Sequence, residues 1–424
     1  MKKILYIILD GLGDLPIEEL GGNTPLEAAS TPYMDSLVKE GMQGLMYPVK
    51  KGIAPESDIA VISLLGYDAH KVYTGRGPLE AFALGIEVND GDLALRVNFA
   101  TVKEGSNEIL DRRAGRDLTT EEASGLSKEI NEKVKLERGS FVFRNTVGHR
   151  GILVIRKEGK LRGFITNTDP AYGREGVFGV AKEIFPSNFL EAKPMPGYED
   201  DPGAILSAEL VNEFVEKSRK VLQEAEINKR RKEKGKLVAN IILCRDAGDS
   251  LPKFIPIGET TGLKFASFVQ MPVEKGIALL CKMEVVEVPL PSGNLERDYQ
   301  CWADLVKKNI SGVDGLYVHI KGPDEPGHDG DFFKKKEVIE LIDKYFFGSL
   351  LENINKKDYL ICVTADHSTP CKLKAHSEDP VPVLIYGGKQ DNTRVFSERE
   401  AQKGRLGEIL GKELIFKLKE FAQG

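Results

Sequence analysis

The sequence predicts an α/β protein, a doubly wound and mainly parallel sheet with a second α/β domain inserted into it. Short apolar runs alternate with helical, charged stretches at both ends of the 424-residue chain, the arrangement of βα units. Polar residues follow those runs directly, at the strand ends where open α/β sheets place their chemistry. Between the two ends lies a stretch of different texture, with isolated strands of alternating pattern.

The opening "ILYIILD" reads as a first buried strand ending on Asp10; its apolar run of about seven residues is too short for an export signal. "TPLEAASTPYMDSLVKEG" predicts a helix closed by Gly41. The first domain is expected over residues 1–78 and 258–424, and the inserted one over 79–257. In the middle, "DLALRVNFATV", "SFVFRNTVG", "RGILVIRK" and "RGFIT" predict strands. "EKSRKVLQEAEINKRRKEKGK" predicts one long solvated helix ending in a basic loop. The idiom of the first strand returns in "GLKFASF", "VVEVP", "GLYVHIKGPD", "DYLICVTADH" and "VPVLIYG", separated by helical stretches such as "KKKEVIELIDKYFFGSLLENI". Gly and Pro in "GRGPLE" and "KFIPIGETTG" mark hinges at the two crossings between domains.

A net charge of -6 argues against extended contact with nucleic acid phosphates. The five cysteines show no CxxC spacing, which argues against a thiolate zinc site and a disulfide framework, and fits a reduced cytoplasm. No segment approaches the roughly 18 apolar residues of a membrane span. The expected partner is a small molecule, and a homo-oligomer is left open.

Several places far apart in the chain present metal-type ligands at or beyond a predicted strand end: Asp10, Ser57 in "APESD", Asp324 and His328 in "GPDEPGHDGD", Asp366 and His367 in "TADH", and His376 in "KAHSEDP". Asp324 and His328 are four apart and share one face of a helical turn. Mixed carboxylate and imidazole ligands suit Mn²⁺ or Zn²⁺ better than Mg²⁺ or Ca²⁺. Seven ligands exceed one tetrahedral ion, so two ions are expected. A serine hydroxyl held against such an ion becomes a nucleophile; Ser57 also reads as a helix N-cap, and a helix N-terminus favours a phosphate. His319 reads as a core residue or one that supports a ligand. On residue chemistry alone the expectation is two-metal phosphoryl transfer through Ser57.

With "ILDGLGD", "TPLEAASTPYMDSL", "APESD", "LLGYDAHKVYTGRGPLEA", "LRVNFATV", "DRRAGR", "TNTDPAYG", "HIKGPDEPGHDGD" and "TADHSTPC" in order over nearly the full length, the chain resembles the alkaline phosphatase superfamily, and most closely the archaeal-type cofactor-independent phosphoglycerate mutases. The resemblance implies an alkaline-phosphatase-type sheet domain with two divalent ions, Mn²⁺ first and Zn²⁺, Co²⁺ or Mg²⁺ as alternatives. Asp10, Ser57, Asp366 and His367 would hold one ion, and Asp324, His328 and His376 the other. It further implies Ser57 as the residue phosphorylated in turnover, Asp169 as acid and base, and His149, Arg150, Arg245 and Lys264 as contacts to a phosphorylated small molecule. Arg112, Arg113 and Arg116 read equally as a salt-bridged loop or as substrate contacts. The rival readings on this fold are a phosphatase, phosphodiesterase or sulfatase with water as acceptor, and a homoserine-kinase-like phosphotransferase.

Overall fold

The computed structural model describes residues 1–424 except Glu183 and Asn353. It divides into two compact units, Met1–Val72 with Lys253–Gly424, and Tyr73–Pro252. The first unit opens with β1 (Lys3–Leu9) and β2 (Gly41–Tyr47). The second contributes β3 (Leu93–Val102), β4 (Ile109–Asp111), β5 (Ser140–Asn145), β6 (Arg150–Arg156), β7 (Tyr172–Glu175), β8 (Phe178–Ala181) and β9 (Ile241–Gly248). The chain then returns to the first unit through β10 (Phe265–Phe268), β11 (Glu284–Val286), β12 (Gly315–Ile320), β13 (Tyr359–Thr364), β14 (Val381–Tyr386) and β15 (Gly407–Leu410).

The first unit's sheet has eight strands in the order β11-β10-β12-β1-β13-β14-β2-β15. Among the described strands only β14 runs against the rest. Residues 4–9 of β1 are completely buried, because helices cover both faces of a parallel sheet and a central strand must then be apolar on both sides. The shared direction of β1, β12 and β13 brings their C-terminal ends to one edge.

The second unit's sheet is antiparallel throughout its described pairs: β3 lies between β6 and β9, β5 pairs outside β6, and β4 pairs with the last two residues of β3. Alternating apolar residues of β3 share one core with the helices Thr120–Lys133 and Pro202–Glu224, which pack on β5 and β9. The chain enters and leaves this unit side by side, with Thr74 Oγ1 donating to Ser250 O at 2.7 Å.

Several expected elements differ. The division falls at 72/73 and 252/253, because the helix Arg76–Ala83 packs on β3 and β9 of the second unit. A Cβ at Gly77 would stand 2.3 Å from Ala94 O, so this approach requires glycine. The strand expected at "RGFIT" is irregular, with only an isolated bridge from Ile165 to Pro194. The helix expected over 24–41 is two short ones, Pro25–Ala28 and Pro32–Val38, since Pro32 opens a new helix. The long charged helix ends at Glu224, and Ala225, with ψ 130°, turns the chain into a second helix, Glu226–Glu233. That second helix is not wholly solvated, for Arg231 is 1% exposed.

Candidate active site

Two groups of metal-type ligands form at the C-terminal edge of the first unit's sheet. Asp10, Asp366 and His367 make one and Asp324, His328 and His376 the other, with the ligand atoms of each group within 4.8 Å of one another. Asp10 follows β1, and Asp366 and His367 follow β13. Asp324 and His328 stand on the helix Asp324–Asp329 beyond β12, where the four-residue spacing brings His328 Nε2 to 3.4 Å from Asp324 Oδ1. His376 lies in the loop before β14, its ring stacked on His367 with centroids 3.7 Å apart.

Glycine at position 11 permits this convergence. Its φ is +64°, and a Cβ there would come within 2.8 Å of Asp324 Cα and 2.7 Å of Thr369 Oγ1. Its N–H donates to Asp366 Oδ1 at 3.1 Å, tying the loop after β1 to the loop after β13.

The hydrogen-bond network assigns one tautomer to all three histidines. His376 Nδ1–H donates to Pro55 O at 2.8 Å, and His328 Nδ1–H donates to Lys374 O at 3.0 Å. Thr369 Oγ1 donates to Asp324 Oδ1 at 2.7 Å and therefore accepts from His367 Nδ1–H at 3.0 Å. Each Nε2 is left with a lone pair facing inward, and the backbone and hydroxyl partners fix the rings in that orientation. His328 Nε2 and His376 Nε2 face each other across 3.2 Å. His367 Nε2 stands 3.3 Å from both Asp10 Oδ1 and Asp366 Oδ2, two buried oxygens that lack a hydrogen-bond donor. Facing nitrogens and undonated carboxylate oxygens are donors that a divalent cation would satisfy, so each group has the chemistry to hold one.

Ser57 is the first residue of the helix Ser57–Leu64 rather than its cap, which is Glu56. Its Oγ stands 3.1 Å from His367 Nε2. The nucleophile candidate thus meets the first group at a helix N-terminus, where the amide dipoles favour a phosphate.

Lys321, Glu274 and His319 complete the surroundings of Asp10. Lys321 Nζ lies 2.8 Å from Asp10 Oδ2 and 2.6 Å from Glu274 Oε1. Burial alone would lower the Lys321 pKa, but Asp10 and Glu274 outweigh it and raise it. His319, fully buried, sits between Glu274 Oε1 at 3.3 Å and Asp366 Oδ2 at 3.5 Å. The sequence reading missed Glu274 and Lys321. Glu274 lies in the first turn of a helix and carries no signature, whereas Lys321 follows β12 directly and so shares the position that betrayed Asp10.

Lys264 does not join this site. It precedes β10 at the N-terminal edge of the same parallel sheet, side chain exposed, and pairs with Glu284 at 2.7 Å. Lys321, unlike Lys264, stands at the edge that carries Asp10.

The second unit gathers a separate cationic cluster. Arg96 and Arg245 are register partners on β3 and β9. The buried Arg245 guanidinium lies 4.0 Å from the Tyr172 ring centroid, and its Nε and Nη1 have no hydrogen-bond acceptor. Arg150 begins β6, and His149 precedes it. Burial, then Arg150, Arg113, Arg245 and Arg116, push the His149 pKa down to about 4. Asp169, fully buried, receives a two-pronged bond from Arg112, Nε to Oδ1 at 2.8 Å and Nη2 to Oδ2 at 2.7 Å. Arg96 and Arg245 each have Asp246 within 4 Å, yet the unfilled Arg245 donors are what an anion with carboxylate and phosphate groups would satisfy.

Comparison with known proteins fits these observations. Residues 38–228 match the family of 2,3-bisphosphoglycerate-independent phosphoglycerate mutases. The enzyme of that name from Aeropyrum pernix is 44% identical over 417 residues, covering 96% of each chain. Among solved structures, the cofactor-independent phosphoglycerate mutase of Thermoplasma acidophilum is 32% identical over the whole of both chains, with a TM-score of 0.64. A protein of Pyrococcus horikoshii, also 32% identical, covers 100% of this chain and 97% of its own with a TM-score of 0.78. Among the described residues no helix is long and apolar enough to cross a membrane.

Proposed function

Because the chain belongs to the 2,3-bisphosphoglycerate-independent phosphoglycerate mutases, a family of isomerases, we propose that it interconverts 3-phosphoglycerate and 2-phosphoglycerate by way of phosphorylated Ser57. The observation that carries the reading is Ser57 Oγ beside His367 Nε2, within a shell of inward lone pairs and undonated carboxylates. In this reading the second unit is a domain inserted into an alkaline-phosphatase-type sheet domain.

Asp10, Ser57, Asp366 and His367 would hold one divalent ion and Asp324, His328 and His376 the other, with Mn²⁺ the best match to the mixed oxygen and nitrogen donors. Bound there, the ions supply positive charge that neutralises the transferring phosphoryl oxygens and favours the ionised serine. The chain's own residues do the rest. Ionised Ser57 Oγ attacks phosphorus, the bond from phosphorus to the 3-oxygen of glycerate breaks, and that oxygen takes a proton from Asp169. Asp169, held in one orientation by Arg112, is the group that exchanges protons with the 2- and 3-hydroxyls. The 2-oxygen then attacks the phosphoserine, releasing its proton to Asp169 and restoring Ser57. Arg245, Arg150 and His149 hold the glycerate carboxylate while its hydroxyls exchange places. Water must be kept from the phosphoserine, since hydrolysis there would make the protein a phosphatase.

The test is ³¹P NMR of the purified, Mn²⁺-supplied protein with 3-phosphoglycerate and no bisphosphoglycerate. The expected result is growth of 2-phosphoglycerate to a constant ratio with little inorganic phosphate, abolished in Ser57→Ala although that variant keeps its metal. Phosphate release without 2-phosphoglycerate would make the protein a hydrolase, and turnover retained by Ser57→Ala would remove the serine from the mechanism.

A further inference from the structure

The segment "DRRAGR" and the basic helix Glu226–Glu233 meet in the second unit. Ala114, Gly115 and Arg116 have φ of 47°, 76° and 57° in succession, so two residues that are not glycine occupy the left-handed region. Each such residue disfavours the turn by about tenfold, and the turn persists only if its surroundings hold it.

They hold it from two sides. Asp111 Oδ1 accepts from Arg113 N at 2.6 Å and from Gly115 N at 3.0 Å. From behind, Arg231 donates through Nη2 to Ala114 O at 3.3 Å and to Asp117 Oδ1 at 2.5 Å, through Nη1 to Glu122 Oε2 at 2.7 Å, and through Nε to Leu237 O at 2.9 Å. Glu122 is itself fixed by a reciprocal cap with Thr119. A planar guanidinium with every nitrogen engaged has one orientation. Arg231 is the only one of the cations in "NKRRKEKGK" to be 1% exposed, and it hands its charge to the carboxyl of Asp117, which it holds below the usual range.

The turn decides where three arginines stand. Arg112, just before it, grips Asp169. Arg113 and Arg116, on either side of its apex, are close enough to contribute to the depression of His149. We propose that Arg231 is a positioning residue: by holding the left-handed turn Ala114–Arg116 in shape, it keeps Arg112, Arg113 and Arg116 placed for the anionic substrate. The substrate in that statement rests on the mutase reading; the placement of the arginines does not.

Two readouts separate the two. The first is KM against kcat for 3-phosphoglycerate, and the second is the NMR titration of the His149 imidazole, which needs no turnover. In Arg231→Met the expected result is a KM raised by about tenfold, the equilibrium cost of one left-handed residue, with a smaller change in kcat. His149 should titrate well above its wild-type value as the arginines move away. Adding Ala114→Gly, which takes positive φ without strain, should restore most of both. If Arg231→Met does not fold, Arg231→Lys retains the charge, loses the fork and carries the same comparison. An unchanged His149 titration in these variants would overturn the proposal, as would a shift that Ala114→Gly fails to relieve, since Arg231 would then support the core and not the turn. Absence of mutase turnover in the wild type, with the His149 shift and its rescue intact, would sink the mutase reading and leave the positioning role standing.

Discussion

Lys321 spans Asp10 and Glu274 with contacts of 2.8 and 2.6 Å, so two carboxylates that would repel in a buried place share one ammonium. Its removal leaves both without that charge. Lys321→Met is expected to cost about 2 kcal/mol of stability, read from denaturant unfolding, and to tighten metal binding at Asp10, where the ammonium no longer competes for the carboxylate, read by titration of the metal-free protein. Lys264→Ala, at the other edge of the sheet, should change neither. An equal effect of the two substitutions would contradict the assignment. The pair also shows what the sequence could convey at this scale. Asp10, Asp324 and Asp366 were legible because each stands at or just beyond the end of an apolar run, and direction along a parallel strand decides the edge. Lys264 precedes its strand and Lys321 follows its own, a distinction that local pattern alone did not draw. Glu274 was not legible, because nothing in a first-turn glutamate announces which strand its helix will meet.

At the scale of elements, the helix Phe332–Leu341 reaches with Lys335 into the edge that carries Asp10 and Asp366. Lys335, completely buried, donates to Gly13 O at 3.0 Å, Asp14 Oδ2 at 2.9 Å and Thr369 O at 2.9 Å. It thereby ties the loop after β1 to the loop after β13, the segments that carry Asp10 and Asp366. Lys335→Met should cost about 3 kcal/mol or more, because it leaves Asp14 buried without its partner. Metal affinity should fall by about tenfold or more, as when a group orienting a ligand is lost. A variant with normal metal affinity would show that the loops keep their places without it. The strands β1, β12 and β13 were legible as apolar runs because burial on both faces leaves few polar positions, His319 and Thr364 among them. The pairing of β3, β6 and β9 was not, since an alternating pattern gives a strand's faces and not its partner's direction. The break at Ala225 was equally hidden, for alanine is a good helix former and tertiary packing overrode it.

For the whole molecule, acid should act on the second unit through His149. His149 has a pKa of about 4 when folded against an ordinary 6.5, so between those values the unfolded chain binds more protons than the folded one. The His149 contribution therefore favours folding above about pH 6.5 and is lost as pH falls toward 4. Burial and the neighbouring guanidinium charges cause this, and a bound anion opposes it. Unfolding midpoints measured at pH 7 and pH 5 should differ more without inorganic phosphate than with it, and the difference should shrink in His149→Gln. An undiminished pH effect in that variant would assign it elsewhere. The discontinuous first unit was readable from the change of texture along the chain, but the crossings at 72/73 and 252/253 were not, because the helix Arg76–Ala83 shows its allegiance only through packing.

Those crossings bear on how such a chain could fold and arise. Thr74 and Ser250 are joined by one hydrogen bond of 2.7 Å, so the long excursion Tyr73–Pro252 begins and ends at nearly the same point. Loop-closure entropy grows only slowly with length, and once the excursion has folded the remaining polypeptide experiences it as little more than a tight turn. A gene for the flanking segments could accept, lose or exchange this module at modest conformational expense, since its two ends already lie together.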